Sequence, residues 1–271
     1  MKRKAWEGVI DAPVANRSLK PRTIGLTMVI DKGLGLNQVE DLIATAGDYL
    51  DVIKLTFGTS AFYDFDLLKQ KLRCLQQAEI KVMPGGTFLE VAVWRKSLEA
   101  YLDRAQELGF TAIEVSDGTI DIPLTERQKV IRRCLERGFL VISEVGKKDP
   151  RQAPPLEVLI EQAREDKANG AFKVIIEARE AGRGVGIFDQ EGKTKIEELE
   201  RIAAEIGDPD ILIWEAPLKN QQQDLILRFG PNVNLGNIPP EEVLALEALR
   251  QGLRGDTLKR AVEAKKSNPS A

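Results

Sequence analysis

The sequence predicts a single (β/α)8 TIM-type barrel, an α/β fold in which an outer ring of helices surrounds eight parallel strands. Short apolar runs recur about every 30 residues, which is the length of a βα unit. Amphipathic segments fill the intervals, and glycines stand where these helices should end, at Gly47, Gly109, Gly138, Gly170, Gly207 and Gly230. An open doubly wound sheet would have the same element order. It is disfavoured because the repeat is nearly uniform and no GxGxxG motif follows the first strand.

The first half of the chain contains four predicted strands, each a short apolar run of the kind that is buried on both faces of a parallel sheet. A helix follows each of them, predicted from apolar residues spaced three and four apart. In order, the strand and helix pairs are Thr23–Ile30 with Leu36–Ala46, Asp51–Phe57 with Phe65–Ala78, Ile80–Met83 with Glu99–Leu108, and Thr111–Ser116 with Leu124–Arg137.

The second half repeats the pattern. Its pairs are Phe139–Glu144 with Leu156–Asn169, Phe172–Glu177 with Lys195–Ile206, Ile211–Glu215 with Gln221–Phe229, and Asn232–Leu235 with Pro240–Leu253, before a last helix at Thr257–Lys265. We predict one domain over residues 1–271, with an N-terminal extension at 1–20 and a C-terminal tail at 266–271. A homo-oligomer is expected, because the polar segment Asn16–Arg22 precedes the first strand at the end of the barrel away from the active site.

The composition excludes several classes of protein. The net charge is −3 and no basic stripe is present, which argues against a nucleic-acid partner. No apolar stretch approaches the roughly 18 residues of a membrane span, and residues 1–15 lack the apolar segment of a signal peptide. Cys74 and Cys134 stand apart from other metal ligands, as reduced thiols of a cytoplasmic protein do.

The chain contains no histidine. Ser-His-Asp and Cys-His catalysis and the HExxH zinc site are therefore excluded. Acid–base chemistry must use lysine, carboxylates, tyrosine, cysteine or water. A bound metal must lie among oxygen ligands, which favours Mg²⁺, or Mn²⁺, over Zn²⁺.

Four glutamates end apolar runs, at Glu114, Glu144, Glu177 and Glu215. A carboxylate in such a position costs several kcal/mol unless it is paired or bound to a cation. Four at similar depths require a cationic ligand, buried lysine or arginine partners, or both. The pattern predicts an enzyme with an acidic, metal-bearing pocket at the C-terminal ends of the strands.

Cationic residues share the faces of these strands, because side chains alternate along a strand. Lys54, Lys148 and Arg179 can converge on the glutamates, whereas Lys147 points outward unless its strand has already ended. Lys54 and Lys148 are therefore candidate catalytic residues, and Lys147 is a third candidate for the case in which the strand ends before it. The alternative is a structural salt-bridge network with no ligand.

Two glycine-bearing loops can hold an anion with backbone N–H groups. One is Gly58-Thr59-Ser60, and the other is Gly182 to Gly186, where Arg183 precedes Gly184. Together with Arg179, these are the candidate substrate-binding residues. Gly236-Asn237 is disfavoured as a phosphate site, because Glu241 and Glu242 open the next helix.

A set of motifs resembles the phosphosulfolactate synthase family, in order, from about residue 20 to residue 257. They are Gly25-Leu26-Thr27 leading to Asp31-Lys32-Gly33, Gly47-Asp48-Tyr49, Lys54 with Gly58-Thr59-Ser60, Pro84-Gly85-Gly86-Thr87, Ile113 to Gly118, Glu144 to Lys148, Gly184 to Asp189, Glu215-Ala216-Pro217 and Arg250 to Asp256. The chain departs from archaeal members at Ala178 and Ala181, where they have glycine and serine, and at Gly236, where they have alanine.

The resemblance implies a (β/α)8 barrel and Mg²⁺-dependent addition of sulfite to phosphoenolpyruvate, giving (R)-2-phospho-3-sulfolactate. It implies small anionic substrates, and the product serves coenzyme M or sulfolactate synthesis in this family. Lys148 would protonate C2, and Lys54, Arg179 and Arg183 would hold phosphate and sulfite. The implied metal ligands are Glu114, Asp117, Glu144 and Glu177.

Two other functions stay open on the sequence alone. One is a Schiff-base aldolase that uses Lys54 or Lys148. The other is a non-catalytic barrel with a protective role in stress, because some relatives of the family are linked to heat tolerance.

Overall fold

A computed structural model describes residues 3–267. In that range eight parallel strands form one nearly closed sheet with helices around it, so the predicted barrel fold is confirmed. The strands are β1 Thr27–Asp31, β2 Val52–Leu55, β3 Lys81–Pro84, β4 Ala112–Val115, β5 Leu140–Val145, β6 Lys173–Ile176, β7 Leu212–Glu215 and β8 Leu235–Ile238. Residues 1–2 of the predicted extension and 268–271 of the predicted tail lie outside the described range.

The helices follow the predicted order with one addition. They are α1 Leu36–Ala46, α2 Phe65–Gln77, α3 Gly86–Trp94, α4 Leu98–Leu108, α5 Leu124–Glu136, α6 Leu156–Ala168, α7 Ile196–Glu205, α8 Lys219–Phe229, α9 Val243–Arg250 and α10 Gly255–Ser267. The sequence does not predict α3, because Pro84-Gly85-Gly86 has the composition of a loop. Glycine is required at Gly86, where an added Cβ would lie 2.6 Å from Cβ of Ser116.

The sheet closes between β3 and β4 without a regular ladder. The Thr111 amide donates to the Val82 carbonyl at 3.1 Å, and the Thr111 hydroxyl accepts from the Val82 amide at 2.9 Å. One threonine therefore satisfies both backbone groups of Val82, which replaces a missing ladder pair at the seam.

The last strand begins three residues later than predicted. The sequence predicts Asn232–Leu235, and the structure has Leu235–Ile238. The side chain of Asn234 accepts from the Leu26 amide and donates to the Leu212 carbonyl. The Asn234 side chain thus makes sheet-like hydrogen bonds to the chain on either side, next to β1 and in β7, before the backbone of β8 joins the sheet.

The barrel interior is layered along the strands. Its lower part is an apolar cluster of Leu26, Met28, Val52, Met83, Ala112, Ile142, Ile175 and Ile213. Two residues after Ala112, Ile142, Ile175 and Ile213, and on the same faces of their strands, lie Glu114, Glu144, Glu177 and Glu215. Lys54 follows Val52 at the same spacing. A layer of charged side chains therefore lies directly above the apolar layer.

The N-terminal segment covers the other end of the barrel. Lys20 Nζ donates to the carbonyls of Gly47, Leu50 and Ala78 at 2.8–3.0 Å. Arg17 pairs with Glu247 at 3.1 Å. Lys20 and Arg17 therefore attach the N-terminal segment to the barrel.

A buried arginine ties α5 and α6 to the strands. Arg127 is fully buried, pairs with Asp166 at 2.5 Å and Asp117 at 3.0 Å, and donates to the carbonyls of Val115 and Glu144. It therefore fixes the C-terminal ends of β4 and β5 relative to each other.

Replacing Arg127 with methionine should lower the free energy of unfolding by about 3–5 kcal/mol, because two aspartates lose their buried counter-charge. Arg133 on the same helix provides the control, since its partners Glu99 and Glu136 are exposed. Arg133→Ala should cost no more than about 1 kcal/mol. Denaturant midpoints measure both, and equal losses would contradict the assignment.

Candidate active site

Lys54 forms the centre of the charged layer. Its ammonium lies 2.7 Å from Glu114 Oε1, 3.2 Å from Glu144 Oε2 and 3.3 Å from Glu215 Oε1. The four residues come from β2, β4, β5 and β7, so one lysine joins strands across the barrel. Burial alone would lower the pKa of Lys54, but the three carboxylates raise it well above its usual value.

Lys148 is the second ammonium of the pocket. Its Nζ lies 2.8 Å from Glu144 Oε1 and 2.7 Å from Glu177 Oε2. Although β5 ends at Val145, a left-handed turn at Gly146 (φ 113°) returns Lys148 to the barrel axis. Lys147 turns outward, to the Asp117 carbonyl at 2.6 Å and Asp121 at 2.9 Å.

In three of the glutamates, a backbone amide binds the carboxylate oxygen that the lysines do not bind. The Gly86 amide donates to Glu114 at 2.6 Å, the Ala178 amide to Glu215 at 2.8 Å, and the Arg179 amide to Glu177 at 2.7 Å. Each carboxylate is thereby fixed in rotation by the start of α3 or the turn after β6.

The carboxylates differ in proton affinity. Desolvation, followed by the neighbouring Glu144, raises the pKa of Glu114 to about 8 even against the attraction of Lys54. Desolvation and two neighbouring carboxylates raise the pKa of Glu177 well above its usual value. Glu144 is equally buried, but Lys148 and Lys54 hold its pKa well below the usual range. Carboxyl groups of such unequal proton affinity are typical of acid–base sites and also occur in buried ion networks.

A pocket of about 330 Å³ opens above these groups at the C-terminal ends of the strands. Three of its lining residues have left-handed backbones, namely Phe57 (φ 58°), Arg179 (φ 62°) and Asn237 (φ 55°). The Asn237 Oδ1 is buried without a hydrogen-bond partner in the described structure. Such strain and unsatisfied polar groups concentrate where a protein binds a ligand.

The predicted site residues divide between this pocket and its surroundings. Lys54, Glu114, Glu144, Lys148, Glu177 and Arg179 line the pocket. Asp117 does not line it and instead pairs with Arg127 and Lys147. Gly184 lines a groove beside Lys195, and Arg183 lines neither.

The Gly58-Thr59-Ser60 loop also turns away from the pocket. Thr59 donates its hydroxyl to the Thr56 carbonyl at 2.9 Å, and Gly58 lies against the Phe88 ring. Ser60 lines a separate, largely apolar cavity between α2, α3 and α4.

Sequence reasoning missed Glu90 and Thr119, and it disfavoured Asn237. Glu90 stands inside the apolar run of α3, which is the same signal that identified the four strand glutamates, and a prediction of α3 would have revealed it. Thr119 lines the pocket and carries no comparable signal in the sequence. Asn237 also lines it, although the sequence disfavours Gly236-Asn237 as a phosphate site because Glu241 and Glu242 open the next helix.

The side chains of the pocket suit a hard cation, because buried carboxyl groups outnumber the ammonium groups and none of the described lining residues is a histidine or a cysteine. In residues 3–267, no three acidic side chains form a preformed metal site, since the two lysines lie between them. Mg²⁺ typically needs only one or two carboxylates, with water and substrate oxygens completing its shell.

An eight-stranded α/β barrel with a charged pocket at its strand ends belongs to the class of barrel enzymes. The family model of (2R)-phospho-3-sulfolactate synthase (ComA) matches residues 15–256. The chain therefore belongs to the phosphosulfolactate synthase family, and the resemblance seen in the sequence is confirmed. In the described range, no helix is both long and apolar enough to span a bilayer.

Three relatives named phosphosulfolactate synthase support the assignment. The protein from Methanocaldococcus jannaschii is 47% identical over 86% of this chain and 93% of its own length. That from Methanothermobacter thermautotrophicus is 43% identical over 89% and 94%. That from Bacillus subtilis is 39% identical over 92% and 97%.

Solved structures of other proteins share the fold at low identity. A 3-hexulose-6-phosphate synthase has a TM-score of 0.53 and 14% identity, covering 83% of this chain and 98% of that one. A fungal endo-β-N-acetylglucosaminidase of glycosyl hydrolase family 18 has a TM-score of 0.58 and 12% identity, covering 83% and 98%. Both similarities concern the fold alone.

The raised pKa values predict that stability depends on pH in the apoprotein. Glu114 and Glu177 bind protons more tightly when folded, so the free energy of unfolding should fall as the pH rises from about 4.5 through about 8. Lys54 and Lys148 titrate above this window and Glu144 below it. Denaturant midpoints in chelator measure the effect.

Glu114→Gln provides the control for this prediction. It removes one titrating group at nearly constant shape, so its stability should fall less across the same window. A wild-type stability that is flat or rising between about pH 5 and about pH 8 would contradict the assigned proton affinities.

Proposed function

We propose that the protein is a Mg²⁺-dependent phosphosulfolactate synthase that adds sulfite to C3 of phosphoenolpyruvate and forms (R)-2-phospho-3-sulfolactate. The observation that carries the proposal is the position of Lys148, an ammonium held by Glu144 and Glu177 at the pocket wall. Family membership supports the substrates, and this geometry supports the role of the lysine.

The proposed reaction needs a nucleophile, a place for charge and a proton. The sulfur lone pair of sulfite forms the S–C3 bond, and the π electrons of the double bond move toward the carboxylate of phosphoenolpyruvate. Lys148 then gives its proton to C2, and solvent restores the ammonium. Its two carboxylates raise its pKa above the usual value, so Lys148 carries a proton at neutral pH.

Substrate binding falls to cations and polar groups at the mouth of the pocket. Arg179 is exposed and, within residues 3–267, has no ion pair, so its guanidinium is available for a phosphate or sulfite. We assign Asn237 as a second contact, because its carboxamide faces the same pocket. Lys54 is surrounded by three carboxylates, and we assign it the role of holding them in place instead of binding substrate.

Glu114, Glu144 and Glu177 are the proposed metal ligands, because they line the pocket and Asp117 does not. A divalent cation bound there would supply positive charge beside the substrate carboxylate.

The Schiff-base alternative is disfavoured by charge. An amine must lose its proton to attack a carbonyl, but the surrounding carboxylates raise the pKa values of both Lys54 and Lys148. Borohydride should therefore not trap a keto acid on either lysine.

The test of the function is incubation with phosphoenolpyruvate, sulfite and Mg²⁺, with mass detection of the product. Product should form only when all three are present. Binding of neither Mg²⁺ nor phosphoenolpyruvate would favour a non-catalytic role.

Removing the metal should lower activity by about 100-fold or more, since several kcal/mol of charge stabilisation is lost. Mg²⁺ or Mn²⁺ should restore it. The measurement is the rate in excess chelator and after metal addition, with Ca²⁺ as the control for ion size. Full turnover in chelator would refute the metal requirement.

Lys148→Ala should lower kcat by about 10²–10⁴-fold, the usual contribution of a general acid. Lys147→Ala is the matched control, because the adjacent lysine points to Asp117 and Asp121. It should keep kcat within a few fold. If Lys147→Ala is the inactive variant, the acid is assigned to the wrong residue.

A further inference from the structure

Glu90 is a buried carboxyl group on α3 that the proposed chemistry does not use. It is 2% exposed. Its Oε1 lies 3.0 Å from the Ser116 hydroxyl, and its Oε2 accepts from the amides of Thr119 and Ile120 at 2.9 and 2.8 Å. No lysine or arginine among the described residues pairs with it. A buried carboxyl group held by dipoles alone is expensive to maintain, which indicates a specific use.

The two amides bound by Glu90 belong to the turn after β4. Thr119 lines the pocket, so Glu90 fixes one part of the pocket wall from behind. The Gly118 amide donates to the Ser116 hydroxyl at 3.1 Å, which closes the same turn from its other side. The turn from Ser116 to Ile120 is therefore held at three backbone amides, and α3 provides the anchor for two of them.

Lys148 lies directly against this turn. Its backbone amide donates to the Gly118 carbonyl at 3.0 Å. A Cβ added at Gly118 would be 3.2 Å from Lys148 Nζ and 3.3 Å from its Cγ. The position of the lysine side chain thus follows the position of the turn.

A side-chain connection runs in parallel with the backbone one. The Ser116 hydroxyl lies 3.1 Å from Glu144 Oε1, the same oxygen that Lys148 binds at 2.8 Å. A hydroxyl has one proton to donate and lies between two carboxyl groups. Glu90 and Glu144 are therefore coupled through Ser116.

We propose that Glu90 is a positioning residue, which holds the Ser116–Ile120 turn and the Ser116 hydroxyl so that Lys148 faces the reacting carbon. The proposal rests on the proposed function, because it assigns Glu90 a purpose in the step that Lys148 performs. Glu90 itself touches no substrate.

The decisive comparison is Glu90→Ala against Glu90→Gln. Alanine removes all three hydrogen bonds, and a displacement of about 1 Å at the reacting groups lowers a rate by about 100-fold. Glutamine keeps an oxygen for the Thr119 and Ile120 amides and offers an NH₂ group to Ser116. We expect kcat to fall about 100-fold in E90A and to return within about fivefold of wild type in E90Q, with little change in KM for phosphoenolpyruvate.

Two further readouts separate positioning from loss of folding. The solvent deuterium isotope effect on kcat should rise in E90A, because proton transfer from a displaced lysine becomes slower. Ser116→Ala keeps the Thr119 and Ile120 amides on Glu90, loses the hydroxyl contacts with Gly118, Glu90 and Glu144, and should lower kcat by about tenfold. Its matched control is Ser143→Ala, since Ser143 is fully buried on β5 and its hydroxyl has no partner in the described structure. That variant should leave kcat unchanged.

Hydrogen exchange of the Ser116–Ile122 peptide, measured without substrate, tests the anchor independently of turnover. E90A should lose protection there and E90Q should keep it. Absence of product with wild-type protein would refute the proposed function alone, whereas unchanged protection in E90A would refute the anchor. If E90Q is as slow as E90A, the charge of Glu90 matters and the positioning role is wrong. The role is equally wrong if S116A keeps full activity.

Discussion

The structure depends on the ion contacts of Lys54 with three glutamates in the middle of the barrel. Each glutamate alone would be expelled from this depth by its desolvation cost. The shared ammonium keeps Glu114, Glu144 and Glu215 in place, and removing it would leave uncompensated charge on three strands. The network therefore sets which residue of each strand can stand at this level. The apolar layer below it is the packed core on which the network lies.

Backbone amides fix the orientation of the glutamate carboxylates, which is a constraint separate from the lysine contacts. The start of α3 binds Glu114, and the turn after β6 binds Glu177 and Glu215. These contacts require close approach, which explains glycine at Gly86, and an unusual backbone at Arg179. Preorganised groups of this kind need little rearrangement when charge develops on a substrate. Local strain is thus concentrated where the pocket needs fixed geometry.

Periodicity in the sequence predicted the strands and the faces of their side chains, and prediction failed where the backbone departs from a regular period. The alternation of side chains was sufficient to bring Lys54 and the strand glutamates together, because strand parity survives in β2, β4, β5, β6 and β7. The same argument reached Lys148 for the wrong physical reason. The strand ends at Val145, and the turn at Gly146 returns the lysine to the axis.

Other departures come from segments without a period. Residues 86–94 are so apolar that they lack the polar face by which a surface helix is recognised, so α3 and its Glu90 were missed. The loop at Gly58 to Ser60 has the composition of an anion site, but composition does not give its direction. Arg127 could not be anticipated either, because its contacts join α5 to two strand ends far apart in sequence.

Charge balance connects the fold to the proposed chemistry. The two ammonium groups do not neutralise all the carboxyl groups around the pocket. Because of this excess negative charge and the burial of the groups, the pKa values of Glu114 and Glu177 are raised, and both bind protons more tightly. A divalent cation would compete with those protons for the same oxygens, so its binding should release protons and strengthen with pH. That cation would in turn offset the charge of an anionic substrate. The proposed function thereby reconciles an acidic pocket with two anionic substrates, because the glutamates would bind the metal, and the metal and Arg179 would bind the anions.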